Sequence, residues 1–97
     1  MRKHEALSLL KARKQEMMQK FGVRQLAVFG STARDEARAD SDVDVLVEFD
    51  GDATFDRFMG LQIYLEGLLR TGIDLTTPSA IRPRMRAMIE KDLVYVA

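Results

Sequence analysis

Residues 28–49, VFGSTARDEARADSDVDVLVEF, decide how this 97-residue chain folds. The stretch runs from an apolar segment through a glycine–serine turn and a charged loop to Asp40, Asp42 and Asp44, and then turns apolar again. From Asp42 onward the residues alternate. Val43, Val45 and Val47 fall to one face of a strand, and Asp42, Asp44, Leu46 and Glu48 to the other, because successive side chains of a strand point to opposite faces. Asp42 and Asp44 therefore leave the same face, roughly 6.5–7 Å apart at the backbone. Two carboxylates so placed repel, and partial burial raises the cost. A divalent cation between them removes it. Magnesium, which takes one or two carboxylates with waters and substrate phosphates, suits such a pair.

The residues on either side extend the pattern. RQLAVFG (24–30) reads as a short buried strand that stops at Gly30. STARDEA (31–37) then offers one or two helical turns with Ser31 as cap. Free N–H groups at such a turn point outward, and a glycine lets a phosphate come close. Arg34 can reach the same anion, or pair with Glu36, Asp40 or Glu48. In TGIDLTT (71–77), Asp74 sits between Ile73 and Leu75, and a carboxylate inside a short apolar strand is unusual unless it is paired. If that strand lies beside 43–49, Asp74 meets Asp42 and Asp44. Three carboxylates can hold two ions about 3.5–4 Å apart, the arrangement used for in-line phosphoryl and nucleotidyl transfer.

The remaining segments supply a scaffold. Residues 6–20 read as one helix with Leu7, Leu10, Met17, Met18 and Phe21 on its inner side and Gly22 as its stop. DGDAT (50–54) is a turn in which Thr54 or Asp52 caps a helix over 55–70. That helix carries a stripe of Phe55, Phe58, Met59, Leu65, Leu68 and Leu69 and ends at Gly72. After Pro78, Ser79 is placed to cap a last helix with Pro83 in its first turn and Met85, Met88 and Ile89 inward. LVYV (93–96) is a short strand or packed tail. The succession helix, strand, short helix, strand, helix, strand, helix is that of an α/β layer, a small sheet covered by helices, in a chain of one domain's length (1–97).

Composition narrows the function classes. There is no cysteine and one histidine, His4, so disulfides and thiolate metal sites are excluded and zinc is disfavoured. No apolar run reaches membrane-spanning length, and the N-terminus lacks a signal-peptide pattern, so the cytoplasm is the expected location. Net charge is zero, yet residues 1–24 and 82–86 are basic and 35–56 strongly acidic. An acidic centre between basic ends can take divalent cations and polyanions together. The Met and Phe stripes read as core.

GSTAR (30–34) followed by SDVDVLVEF (41–49) resembles the signature of the polymerase-beta-like nucleotidyltransferase superfamily. The short length and the closing IRPRMRAMIEKDLVYV (81–96) look like its minimal nucleotidyltransferase (MNT) branch, and the likeness runs from the first strand to the chain end. The resemblance implies a nucleotidyltransferase fold with a small mixed sheet. It implies that Gly30 and Ser31 bind the triphosphate, and that Asp42 and Asp44 ligate metal. It makes Asp74 the third carboxylate, which helps activate the attacking hydroxyl. Arg34 follows the turn and Ser41 precedes the metal pair, both counted with the nucleotide-binding positions. Asp35 departs from the pattern, where many relatives have glycine, and would add negative charge near the nucleotide.

Minimal members of this family commonly act as antitoxins that transfer AMP from ATP to a tyrosine of a helical HEPN toxin. By resemblance, then, the expectation is a Mg2+-dependent protein adenylyltransferase with two ions, ATP as substrate and a HEPN-type toxin as partner in a hetero-oligomer. No membrane and no direct nucleic-acid contact are expected. The alternative is a binding module that neutralises its partner by covering it. An antibiotic-modifying nucleotidyltransferase is disfavoured, since such enzymes usually carry a second, helical domain.

Overall fold

In the computed structural model, which describes residues 1–96, the strand read at 43–49 buries Val43, Val45, Val47 and Phe49 and leaves Asp44, Leu46 and Glu48 half-buried on the opposite face. The chain runs through α1 (Lys3–Ala12), α2 (Lys14–Phe21), β1 (Val23–Phe29), α3 (Gly30–Ala33), β2 (Val43–Phe49), α4 (Phe55–Leu69) and β3 (Ile73–Thr76). A 3-10 turn (Pro78–Ala80), α5 (Pro83–Asp92) and β4 (Val94–Tyr95) complete it. The sheet order is β3-β2-β1-β4. β1 is antiparallel to β2 and β4, whereas β2 and β3 are parallel, so the sheet is mixed. A parallel pair needs a crossover, and α4 supplies it.

One face of the sheet is closed. Leu10, Met17, Leu61 and Leu65 pack there against Leu26, Val28, Val43, Val45 and Val47, all fully buried. Each such side chain contributes about 1.5–3 kcal/mol relative to exposure. The other face carries Asp44, Leu46 and Glu48, and α5, which packs against β1 and α3, has no buried residue of its own.

Several local expectations are corrected. The helix read over 6–20 is two helices, parted at Arg13 (φ −111°, ψ 11°). The break lets α1 pack on α3 and α4 while α2 packs on α4 and β1. Gly22 does stop α2 in the left-handed region (φ 68°), and Thr54 does cap α4, accepting the Arg57 N–H. α4 ends not at Gly72 but at Arg70, which takes the left-handed conformation itself (φ 55°). Its core stripe is Leu61, Leu65 and Leu69. Phe55, one residue past the cap, is 77% exposed. Ser31 lies inside α3 rather than at its cap, where Phe29 stands without a side-chain bond. Ser79 lies in the 3-10 turn, and Arg82 precedes α5 with Pro83 in the first turn as expected. Met85 and Met88 are exposed, and Ile89 and Leu93 face a cleft between α5 and the sheet.

Candidate active site

The pairing of three strands assembles the site. Phe29, the last residue of β1, is the register partner of Asp44, and Asp44 is the register partner of Asp74. Gly30, Asp44 and Asp74 therefore stand in a row across the sheet at one end. Asp42 comes two residues earlier, beside Gly72, whose carbonyl accepts the Val43 N–H at 2.9 Å.

Both carboxylates of the aspartate pair rest against bare Cα atoms. Gly30 has φ +70°, and a Cβ there would overlap Oδ2 of Asp44. A Cβ at Gly72 would overlap Oδ1 of Asp42. Gly30 is thus required twice, for the left-handed turn and for the approach of the carboxylate. Burial pushes the Asp44 carboxyl up to about 6, with the neighbouring charge of Asp74, its hydrogen bond and then the charge of Asp42 adding to the rise, and Arg34 opposing it. Asp74 is the nearer neighbour of Asp44, and Asp42 stands further off, turned to Gly72. Among the described residues no three acidic or histidine side chains already close on one point.

The flanking polar residues have specific partners. Ser31 is half-buried in the first turn of α3, and its carbonyl accepts the Glu36 N–H at 2.8 Å. Arg34 donates from Nη1 to Asp92 at 2.5 Å and from Nε to Glu36 at 3.5 Å. The bond to Asp92 holds its guanidinium pKa above the usual value. Of the alternative partners read from sequence, Glu36 is present, whereas Glu48 is taken by Arg24 at 2.5 Å. Ser41 closes the loop ahead of the pair, its Oγ accepting the Arg38 N–H and its own N–H donating to the Arg38 carbonyl, both at 3.1 Å. Asp35 has φ 58°, a conformation that favours glycine. Its carboxylate is turned to the start of α1, accepting the Lys3 N–H at 3.0 Å, and that bond holds it below the usual carboxylate range.

Asp42, Asp44 and Asp74 offer only oxygen donors, and a cation beside them would relieve the burial and repulsion that raise the Asp44 carboxyl. The set fits a hard divalent ion such as magnesium. Sequence reasoning missed two residues here. Gly72 was read only as a helix stop, although a glycine two residues before an isolated acidic strand position could have signalled a close approach. Asp92 lies 58 positions from Arg34, and no local pattern pointed to it.

The nucleotidyltransferase domain family matches residues 10–96. The chain belongs to this family. Among relatives of this nucleotidyltransferase, the protein adenylyltransferase MntA of Thermococcus cleftensis is 41% identical over 92 residues, covering 95% of this chain and 93% of the relative. A solved protein named as a candidate minimal nucleotidyltransferase superposes with a TM-score of 0.74 at 35% identity, over 91% of this chain and 93% of the other. The fold is shared with the solved complex of a tri-AMPylated Shewanella oneidensis HEPN toxin and its MNT antitoxin (TM-score 0.66, 13% identity, 94% of this chain and 71% of that one). This nucleotidyltransferase is an enzyme of the nucleotidyl-transferring class. No helix of its described residues is long and apolar enough to cross a membrane.

Proposed function

We propose that this nucleotidyltransferase transfers AMP from ATP to a tyrosine hydroxyl of a HEPN-type toxin, with magnesium, and thereby acts as its antitoxin in the cytoplasm. The observation that carries the reading is the placement of Asp42, Asp44 and Asp74 on one sheet face beside the Gly30–Ser31 turn. Support for the acceptor comes from relatives: the name of the T. cleftensis protein is protein adenylyltransferase, and the S. oneidensis complex pairs an MNT antitoxin with an AMPylated HEPN toxin.

In this reading the backbone after Gly30, with Ser31, binds the β- and γ-phosphates, and Arg34 stands at the mouth of the turn. Asp42, Asp44 and Asp74 would hold magnesium, which when bound supplies charge neutralisation for carboxylates and phosphates alike. Asp74 accepts the proton of the attacking hydroxyl. The tyrosine oxygen bonds to the α-phosphorus, the bond from that phosphorus to the α–β bridging oxygen breaks, and pyrophosphate leaves in line. The acceptor hydroxyl is brought by the partner.

The test uses the chain purified with its HEPN partner and ATP labelled at the α-phosphate. Wild type with magnesium labels the partner, while Asp42→Asn combined with Asp44→Asn does not. The same double variant decides against the covering-module alternative if it also fails to neutralise the toxin in growing cells. Neutralisation that survives loss of labelling would overturn the catalytic antitoxin.

A further inference from the structure

The face that carries Asp44 continues along β2 to Leu46 and Glu48, opposite Ala27 and Gln25 of β1. Between this stretch of sheet and α5 lies a cleft of about 410 Å³. That volume falls in the range of small-molecule sites. Leu46, Pro78, Ile89 and Leu93 give it apolar surface, Arg86 and Glu90 of α5 add a charge of each sign, and the register partners Gln25 and Glu48 line its end away from the carboxylates. Nothing in the proposed chemistry uses it.

We propose that this cleft is the nucleobase site and that Gln25 and Glu48 select adenine. The inference rests on the nucleotidyl-transfer reading and adds to it the source of base specificity. From Asp44 to Glu48 the strand rises about 13 Å, a span that a nucleoside monophosphate covers from its phosphate to its base. A flat heterocycle could lie against the apolar surface of Leu46, Ile89 and Leu93. The Gln25 amide has a donor and an acceptor side by side, matching the N7 acceptor and N6 amino donor of adenine. Glu48 gives one oxygen to Arg24 and keeps another to accept from the adenine amino group. Guanine would turn its O6 acceptor toward that carboxylate instead and is disfavoured.

The test titrates the full chain, with magnesium, against ATP, GTP and inorganic tripolyphosphate by calorimetry. Wild type should prefer ATP to both others by about tenfold or more. Ile89→Trp, which fills the cleft from its half-exposed helix, should remove the advantage of ATP over tripolyphosphate. Gln25→Leu, at an exposed position, should bring ATP and GTP within about threefold of each other. Equal binding of ATP and tripolyphosphate by wild type would overturn the base site while leaving the phosphate turn intact, as would preferences unchanged in both variants. Binding of none of the three ligands would overturn the nucleotidyl-transfer reading and the base site with it.

Discussion

At the scale of single residues, Asp44 is where the electrostatic tension of the site collects. Burial, and then Asp74 and Asp42, push its carboxyl from an ordinary 3.8 up to about 6, with Arg34 opposing the rise. A raised carboxylate pKa means that the native state binds the proton more tightly than the unfolded chain does. Stability should therefore fall as pH rises from about 4 through about 6. Without divalent cations, Asp44→Asn should melt higher than wild type at pH 7.5. The gain should be about 1–2 kcal/mol once solvent screening of the half-open site is allowed for, and it should close below about pH 4.5. Melting curves across that range check it. Gly72→Ala makes a complementary case. The added Cβ meets the mobile end of Asp42 rather than backbone, so stability should change by less than about 1 kcal/mol, while a displaced ligand should cost about 10- to 100-fold in AMP transfer. Parallel melting and labelling measurements separate the two effects. Asp42, Asp44 and Asp74 were legible in the sequence because a carboxylate set among alternating or continuous apolar residues contradicts the strand around it. The need for bare Cα atoms at Gly30 and Gly72 depends on which side chain arrives from another strand, and local sequence does not record that.

At the scale of elements, what could be read followed periodicity and chemistry close in sequence. β1, β2 and β3 were legible from apolar runs and alternation, and the stop at Gly22 and the cap at Thr54 from single residues with one conformational task. The break at Arg13 was not legible, since KARKQE contains neither glycine nor proline and the two helices part only to follow different neighbours. The inward side of α5 was misread for the reverse reason. Its Met85 and Met88 have helical spacing, but both are exposed, and Ile89, with Leu93 just past the helix, faces the cleft between α5 and the sheet. Capping energetics can be tested in isolation from chemistry. Thr54→Ala should lower stability by about 1 kcal/mol by leaving the Arg57 N–H without its acceptor. It should leave the rate of AMP transfer unchanged, because α4 begins away from the carboxylate row. Denaturant midpoints beside transfer rates give the answer.

At the scale of the whole molecule, the chain is a slab of 32 × 30 × 19 Å, closed by α1, α2 and α4 on one face, with Asp44, Leu46 and Glu48 on the other. In the mixed sheet, antiparallel β1 delivers the Gly30–Ser31 turn, and parallel β3 delivers Asp74, to the same end of β2. That the three aspartates act as one centre is tested most directly by the intact mass of the HEPN partner after co-expression. With wild type, the partner should carry whole AMP increments that map to tyrosine. With Asp74→Asn, folded and still bound to the partner, the increments should be absent. A partner unmodified by wild type, or modified equally well by Asp74→Asn, would contradict it.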